Sequence, residues 1–109
     1  MTSLSFSTFA NPQHSHYEVI KESLEDMLKL AEGYGGQSPH ARRILLSLYD
    51  PQGYEMCGND FRGLDIPHIH HAINILHEHG LCRKNIFSLV ESSEERILKI
   101  AKRASPAKT

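Results

Sequence analysis

SHYEVIKESLEDMLKLAEGYGG, residues 15–36, carries the clearest periodic pattern in the chain. Ser15 and Glu18 have the spacing of a capping box, in which each side chain accepts a hydrogen bond from a backbone amide at the start of a helix. The apolar residues that follow recur every three or four positions, as they do on one face of an α-helix: Tyr17, Ile20, Leu24, Met27, Leu28 and Ala31. Three glycines end the run, so the pattern predicts a first helix over residues 15–33.

Three further segments carry the same kind of signal. Each begins with a residue type that favours a helix N-terminus, and each continues with apolar residues at helical spacing. The predicted helices cover residues 39–49, 66–79 and 93–103. Two shorter pieces are predicted between them: a helical turn near 60–63, capped by Asn59, and a short extended segment near 83–90. The chain is therefore predicted to be all-α, a compact bundle of four main helices.

The apolar positions also predict which side of each helix is buried. On the third main helix the expected core face is a stripe of four aliphatic residues: Ile66, Ile69, Ile73 and Leu76. A helical wheel then places His71, Asn74 and Glu78 on the solvent side, with Ile75 outside the main apolar arc. On the last helix the residues expected to point inward are Ile97, Leu98 and Ala101.

Length and composition restrict the class of protein. The chain has 109 residues, of which 39% are hydrophobic and 23% charged, and these values are typical of one globular domain. We expect a flexible arm over residues 1–14, a single helical domain over 15–103 and a disordered tail over 104–109. Two cysteines form no disulfide framework, and no signal peptide or membrane span is recognisable, so a cytoplasmic location is predicted.

The charge balance argues against a general affinity for nucleic acid, because the formal net charge is −1. Residues 59–81 nevertheless have the rhythm of a helix-turn-helix, which makes a DNA-binding transcriptional regulator the alternative function. In that alternative Arg62, Arg83 and Lys84 contact phosphates. The presumed recognition helix contains no lysine or arginine, which weakens this alternative.

Eight histidines are present, five of them between residues 68 and 79. No two histidines are four apart, the spacing at which imidazoles on one helix face chelate a metal ion, and no CxxC motif is present. We therefore predict no metal and no cofactor. As the pH falls through about 6.5 these side chains gain charge, which should strengthen binding to an acidic partner.

Catalysis is not predicted either. The chain lacks a nucleophile elbow, a phosphate-binding loop, a dinucleotide-binding fingerprint and the HExxH motif of metalloproteases. Because an enzyme needs a nucleophile with a base, paired carboxylates or a bound cofactor, the sequence favours a protein without enzymatic activity.

From Leu24 to Leu81 the chain resembles a family of small, functionally uncharacterised bacterial proteins that are often encoded on plasmids and other mobile elements. The matching features are the amphipathic run Leu24, Leu28 and Ala31, the connection Gly36-Gln37-Ser38, the helix Ala41–Tyr49, and the run Asp60–Asp65 with an apolar helix after it. The resemblance implies a small all-α protein from a mobile element. It implies no activity.

The residues together favour a small protein-binding or accessory module that docks on a larger host protein. A mobile-element-encoded inhibitor of host machinery, such as an anti-defence protein, or an adaptor would have this size and character. The expected contact residues are His68, His71, Asn74 and Ile75 on the third main helix, with Tyr54 and Arg62 before it. Homo-oligomer formation is also expected, because Ile75 would otherwise be exposed.

Overall fold

A computed structural model describes residues 16–81 and 86–103 of the chain. Its five α-helices are α1 (His16–Glu32), α2 (Ser38–Tyr49), α3 (Gly58–Arg62), α4 (Ile66–Leu76) and α5 (Ser93–Arg103). A π-helical turn, His77–Leu81, continues α4, and a 3-10 turn, Ile86–Leu89, precedes α5. No β-strand occurs in the described ranges, and the predicted all-α architecture with four main helices is confirmed.

Most predicted boundaries agree with the structure to within one or two residues, but three details differ. The helix predicted to run to residue 79 stops at Leu76, where the π-helical turn begins. The segment predicted as extended is a 3-10 turn over its last part, Ile86–Leu89, and residues 83–85 lie outside the described ranges. Cys57, not Asn59, caps α3. The arm and the tail predicted at the two termini also lie outside the described residues.

Helix α1 is the centre of the fold, because it packs against α2, α4, α5 and the 3-10 turn. Five residues of the predicted stripe are buried, Ile20, Leu24, Met27, Leu28 and Ala31, and so is Val19, which the stripe did not include. These side chains join residues of the other main helices in one core cluster. Tyr17, which the periodicity placed on the same face, is instead 52% exposed.

Arginine side chains from two other helices donate hydrogen bonds to the backbone carbonyl oxygens at the C-terminal end of α1. Arg42 and Arg103 each donate a hydrogen bond to the carbonyl oxygen of Gly33, at 3.2 and 2.7 Å. The Ser38 hydroxyl donates to the carbonyl of Leu30 at 2.7 Å. The last carbonyls of a helix have no partner within it and carry partial negative charge, so these donors fix the junction of α1, α2 and α5.

An ion-pair network also joins α5 to α1. Arg96 donates two hydrogen bonds to the carboxylate of Glu32, at 2.7 and 2.8 Å, and a third to Glu25 at 2.9 Å. The hydrogen bonds from Arg96 are the main cause that lowers the pKa of Glu32. The bidentate geometry fixes the orientation of α5 as well as its distance from α1.

Not every apolar residue of α5 takes part in this packing. Ile97 and Ile100 are buried and Ala101 is half-buried, but Leu98, predicted to point inward, is 55% exposed. Leu98 is therefore an apolar residue at the surface of α5.

Asp60 anchors the short helix α3 on α2. It is only 1% exposed. Its carboxylate accepts hydrogen bonds from Arg43 Nε at 2.7 Å and from the Cys57 amide at 3.0 Å, and it lies 3.0 Å from His40 Nδ1. Burial by itself would raise the pKa of Asp60, but the contacts with His40, Cys57 and Arg43 outweigh it and hold that pKa below its usual value. The carboxylate is therefore ionised and fully paired.

Replacing Asp60 by alanine should lower the free energy of unfolding by about 2–3 kcal/mol, because the replacement leaves charged and backbone donors without an acceptor. Chemical denaturation measures this change. The matched control is Asn59→Ala, an exposed neighbour on the same short helix, for which we expect a change within about 0.5 kcal/mol. Equal losses in the two variants would show that Asp60 is not the anchor of α3.

Candidate functional site

The apolar stripe of α4 was predicted to be its buried side. In the structure, α4 packs against α1 through the opposite side of the helix. Ala72 and Ile75 are 0% exposed and Asn74 is 4% exposed, so all three lie inside the fold. Glu78, in the turn that follows, is 3% exposed. The prediction that Asn74, Ile75 and Glu78 face solvent is therefore wrong, and Asn74 and Ile75 cannot contact a partner from the surface.

The four aliphatic residues predicted in the core lie on the other side of α4. Ile66 is 68% exposed, while Ile69, Ile73 and Leu76 are half-buried. We call these four residues the outer face of α4. The prediction that they form the buried face is wrong, although Ile69 still packs against the edge of the core cluster.

A polar seam between α1 and α4 explains this orientation. The Ser23 hydroxyl on α1 accepts a hydrogen bond from Asn74 Nδ2 at 2.9 Å and lies 3.0 Å from His71 Nδ1. The other ring nitrogen of His71, Nε2, lies 3.1 Å from a carboxylate oxygen of Asp26. Buried polar groups need partners. Ser23, Asn74, His71 and Asp26 provide these contacts for one another, although Asn74 Oδ1 has no hydrogen-bond partner among the described residues. We call this group the polar seam.

The protonation state of His71 follows from its surroundings. Burial is the main cause that lowers the pKa of His71, and the nearby Asp26 carboxylate offsets it only in part. The imidazole is therefore neutral at pH 7. We assign the proton to Nε2, which donates to Asp26, so that Nδ1 accepts the hydrogen bond from Ser23.

Serine, histidine and aspartate linked in this order also form the nucleophile, base and orienting acid of many hydrolases. Here the serine is unsuited to that chemistry. Ser23 is 1% exposed, lies between two packed helices, and has its oxygen occupied by Asn74. A nucleophile must reach its substrate, so the seam is suited to holding helices together and not to catalysis.

Two other histidines are bound to carboxylates near them in the fold. His68, a predicted contact residue, lies with Nδ1 2.7 Å from Asp65, and His40 makes the corresponding contact with Asp60. Asp65 also accepts a hydrogen bond from the His68 amide, which confirms it as the N-cap of α4. Within the described ranges, no three histidine, cysteine, aspartate or glutamate side chains are grouped so as to hold a metal ion.

The remaining predicted site residues are not gathered in one place. Tyr54 is half-buried and packs against the core cluster, whereas Arg62 is exposed at the end of α3. Arg83 and Lys84, the phosphate contacts of the DNA-binding alternative, lie outside the described residues. The outer face of α4 is thus the surface that sequence reasoning missed. The signal was present in the 3-4-3 spacing of its aliphatic residues, which was interpreted as core.

Chemically, the outer face of α4 is apolar and uncharged. Residues 66–77 contain no lysine, arginine, aspartate or glutamate, and His70 and His77 flank the aliphatic stripe. Contiguous apolar surface without charged side chains is typical of the centre of a protein–protein contact. The arrangement can therefore bind another apolar protein surface.

Comparison with known proteins gives a family but no activity. Residues 21–105, which are 85 of the 109 residues, match a family described as a family of unknown function, DUF7673. The span 24–81 of the predicted resemblance lies within the matched region. No curated protein and no solved structure matches the chain. In the described part of the chain, no helix has the length and apolar character needed to cross a bilayer.

The polar seam should contribute measurably to stability. We expect Ser23→Ala to lower the free energy of unfolding by about 1–3 kcal/mol, because Asn74 and His71 each lose a buried partner. The control is Ser47→Ala, since the Ser47 hydroxyl bonds only to the carbonyl of Ile44 one turn earlier in its own helix. Chemical denaturation of both variants checks this. A Ser23→Ala variant as stable as the control would contradict the structural role of the seam.

The stability of the protein should also depend on pH through His71. Its pKa is lowered in the folded state, so the unfolded chain takes up the proton first, and stability present above pH 6.5 is lost as the pH falls below that value. The hydrogen bond from the His68 amide is the main cause that lowers the carboxyl pKa of Asp65, and burial opposes it, so the contribution of Asp65 to stability is lost only at more acidic pH, below about 4. We expect the free energy of unfolding to fall between pH 7 and pH 5.

The matched variants for this experiment are His71→Gln and His70→Gln. His71→Gln should reduce the fall in the free energy of unfolding between pH 7 and pH 5, because this variant lacks the titrating imidazole of the polar seam. His70→Gln, the same substitution on the same helix but outside the polar seam, is the reference, and its fall in the free energy of unfolding should exceed that of His71→Gln. The same slope in all three proteins would exclude His71 as its source.

Proposed function

Since the chain belongs to the DUF7673 family, whose function is unknown, we propose that it is a small non-enzymatic protein-binding module. Its contact surface is the outer face of α4. The observation that carries this proposal is the orientation of α4. Ala72, Asn74 and Ile75 face inward, and the aliphatic stripe lies on the other side of the helix, with Ile66 68% exposed.

The energetics favour a partner on this surface. Full burial of an isoleucine side chain contributes about 1.5–3 kcal/mol, and Ile66 is 68% exposed in the single chain. Three more aliphatic residues of the same face are half-buried. A partner protein that covers all four side chains would gain this free energy on binding. It would break no contact of the polar seam, because the seam lies on the opposite side of the helix.

The absence of enzymatic activity is part of the same proposal. It is supported by the inaccessibility of Ser23 and by the structural roles of His71 and Asp60, whose polar atoms contact other side chains of the fold. The resemblance to proteins of mobile elements adds a biological setting to the proposal. In that setting the module is an inhibitor or adaptor of a host protein.

A DNA-binding regulator is the second candidate and has less support. Phosphate contacts require cations, and the outer face of α4 has none. Arg62 is the one predicted phosphate contact within the described residues. Affinity for a DNA duplex at two salt concentrations separates the candidates, because a regulator loses affinity steeply as salt rises.

The proposal predicts that Ile66→Glu abolishes partner capture without unfolding the protein. Residue 66 is at the first position of α4, where a carboxylate interacts favourably with the helix dipole, so the helix itself should remain stable. The measurement compares the proteins retained from a lysate of the source cells by tagged natural protein and tagged variant, with circular dichroism as a check on folding.

The matched control is Leu98→Glu, which places the same charge at an exposed leucine of α5. It should retain the proteins that the natural chain retains. If Ile66→Glu retained the same proteins as Leu98→Glu, the outer face of α4 would not be the contact surface.

A further inference from the structure

We propose that the outer face of α4 is occupied by the same face of a second copy of this chain. The two α4 helices run antiparallel and are related by a twofold axis. This inference rests on the proposed function, which it deepens by naming the partner of the contact surface.

The first argument is the register of the stripe. Ile66, Ile69, Ile73 and Leu76 are spaced 3-4-3, which is the spacing of the contact positions in a coiled-coil seam. When two such helices run antiparallel, Ile66 of each copy lies opposite Leu76 of the other, and Ile69 lies opposite Ile73. The stripe is therefore complementary to itself, as the interface of a twofold dimer must be.

The second argument is the absence of charged residues along the outer face of α4. Residues 66–77 contain no lysine, arginine, aspartate or glutamate, so two copies of this face can meet without burying an unpaired charge. The two helices run in opposite directions, so their dipoles attract each other.

The third argument concerns the fixed position of α4 in the single chain and the size of the interface. The polar seam already fixes α4 in the single chain, so pairing requires little loss of conformational freedom. A helix of 11 residues is about 16 Å long, which gives an interface below the standard size of about 800 Å² on each partner. The expected dimer is therefore one that dissociates on dilution, with a Kd on the order of micromolar.

Sedimentation velocity of the full chain at several concentrations tests the inference. The natural protein should sediment as a concentration-dependent dimer, whereas Ile66→Glu and Leu76→Lys should each sediment as monomers. Circular dichroism confirms that both variants are folded. Leu98→Lys, which adds the same positive charge as Leu76→Lys but at an exposed position on α5, should remain dimeric.

Mixing the two monomeric variants tests the register. In the antiparallel dimer the introduced carboxylate at position 66 lies opposite the introduced ammonium at position 76, and the other pair of positions keeps its natural isoleucine and leucine. The mixture should therefore form a heterodimer. In a mixture of Ile66→Glu with Leu98→Lys there is no such compensation, so Ile66→Glu should stay monomeric beside the Leu98→Lys homodimer.

Several results would overturn the inference. A natural chain that is monomeric at all concentrations would do so, as would a dimer that survives Ile66→Glu, or two monomeric variants that do not rescue each other. The lysate experiment separates these failures from failure of the proposed function. If Ile66→Glu loses captured proteins although the natural chain is monomeric, the outer face binds a different partner.

Discussion

The hydrogen bonds of Ser23 with Asn74 and His71 determine how α4 is turned in this protein. In the seam between the two helices the Ser23 hydroxyl accepts a hydrogen bond from the Asn74 amide and lies against the His71 imidazole, and the exposed edge of the seam ends on the Asp26 carboxylate. Leaving such groups buried without partners costs more than leaving part of an aliphatic side chain in water. Asn74 therefore faces inward beside Ala72 and Ile75, while Ile66 is exposed and Ile69, Ile73 and Leu76 are half-buried.

The other junctions of α1 depend on polar contacts of a similar kind. Arg42 and Arg103 pair with the carbonyls at its C-terminal end, and Arg96 pairs with Glu32 across the contact with α5. Apolar burial supplies a general driving force for collapse, but it is not directional. The directional contacts decide which faces of the helices meet, and they act at the middle and at the C-terminal end of α1.

This division of roles connects the fold to the proposed function. Several reactive residue types in the described part of the chain have structural roles: Ser23 and His71 in the polar seam, and Asp60 with His40 in the anchor of α3. The surface that remains on α4 is apolar and fixed in place by the seam behind it. A rigid, uncharged helix face is suited to recognition of another protein.

The sequence by itself determined the helices. Periodicity, caps and glycines placed the four main helices to within one or two residues, except at the end of α4, and they identified the buried stripe of α1, because these signals act between residues close in the chain. The orientation of α4 was decided by the tertiary structure alone. Ser23 and Asn74 are far apart in sequence, so no local pattern shows that they will meet, and an apolar stripe looks the same whether it covers a core or forms a contact surface. Leu98 illustrates the same limit on α5. Its helical spacing favoured burial, but the side chain is 55% exposed in the folded protein.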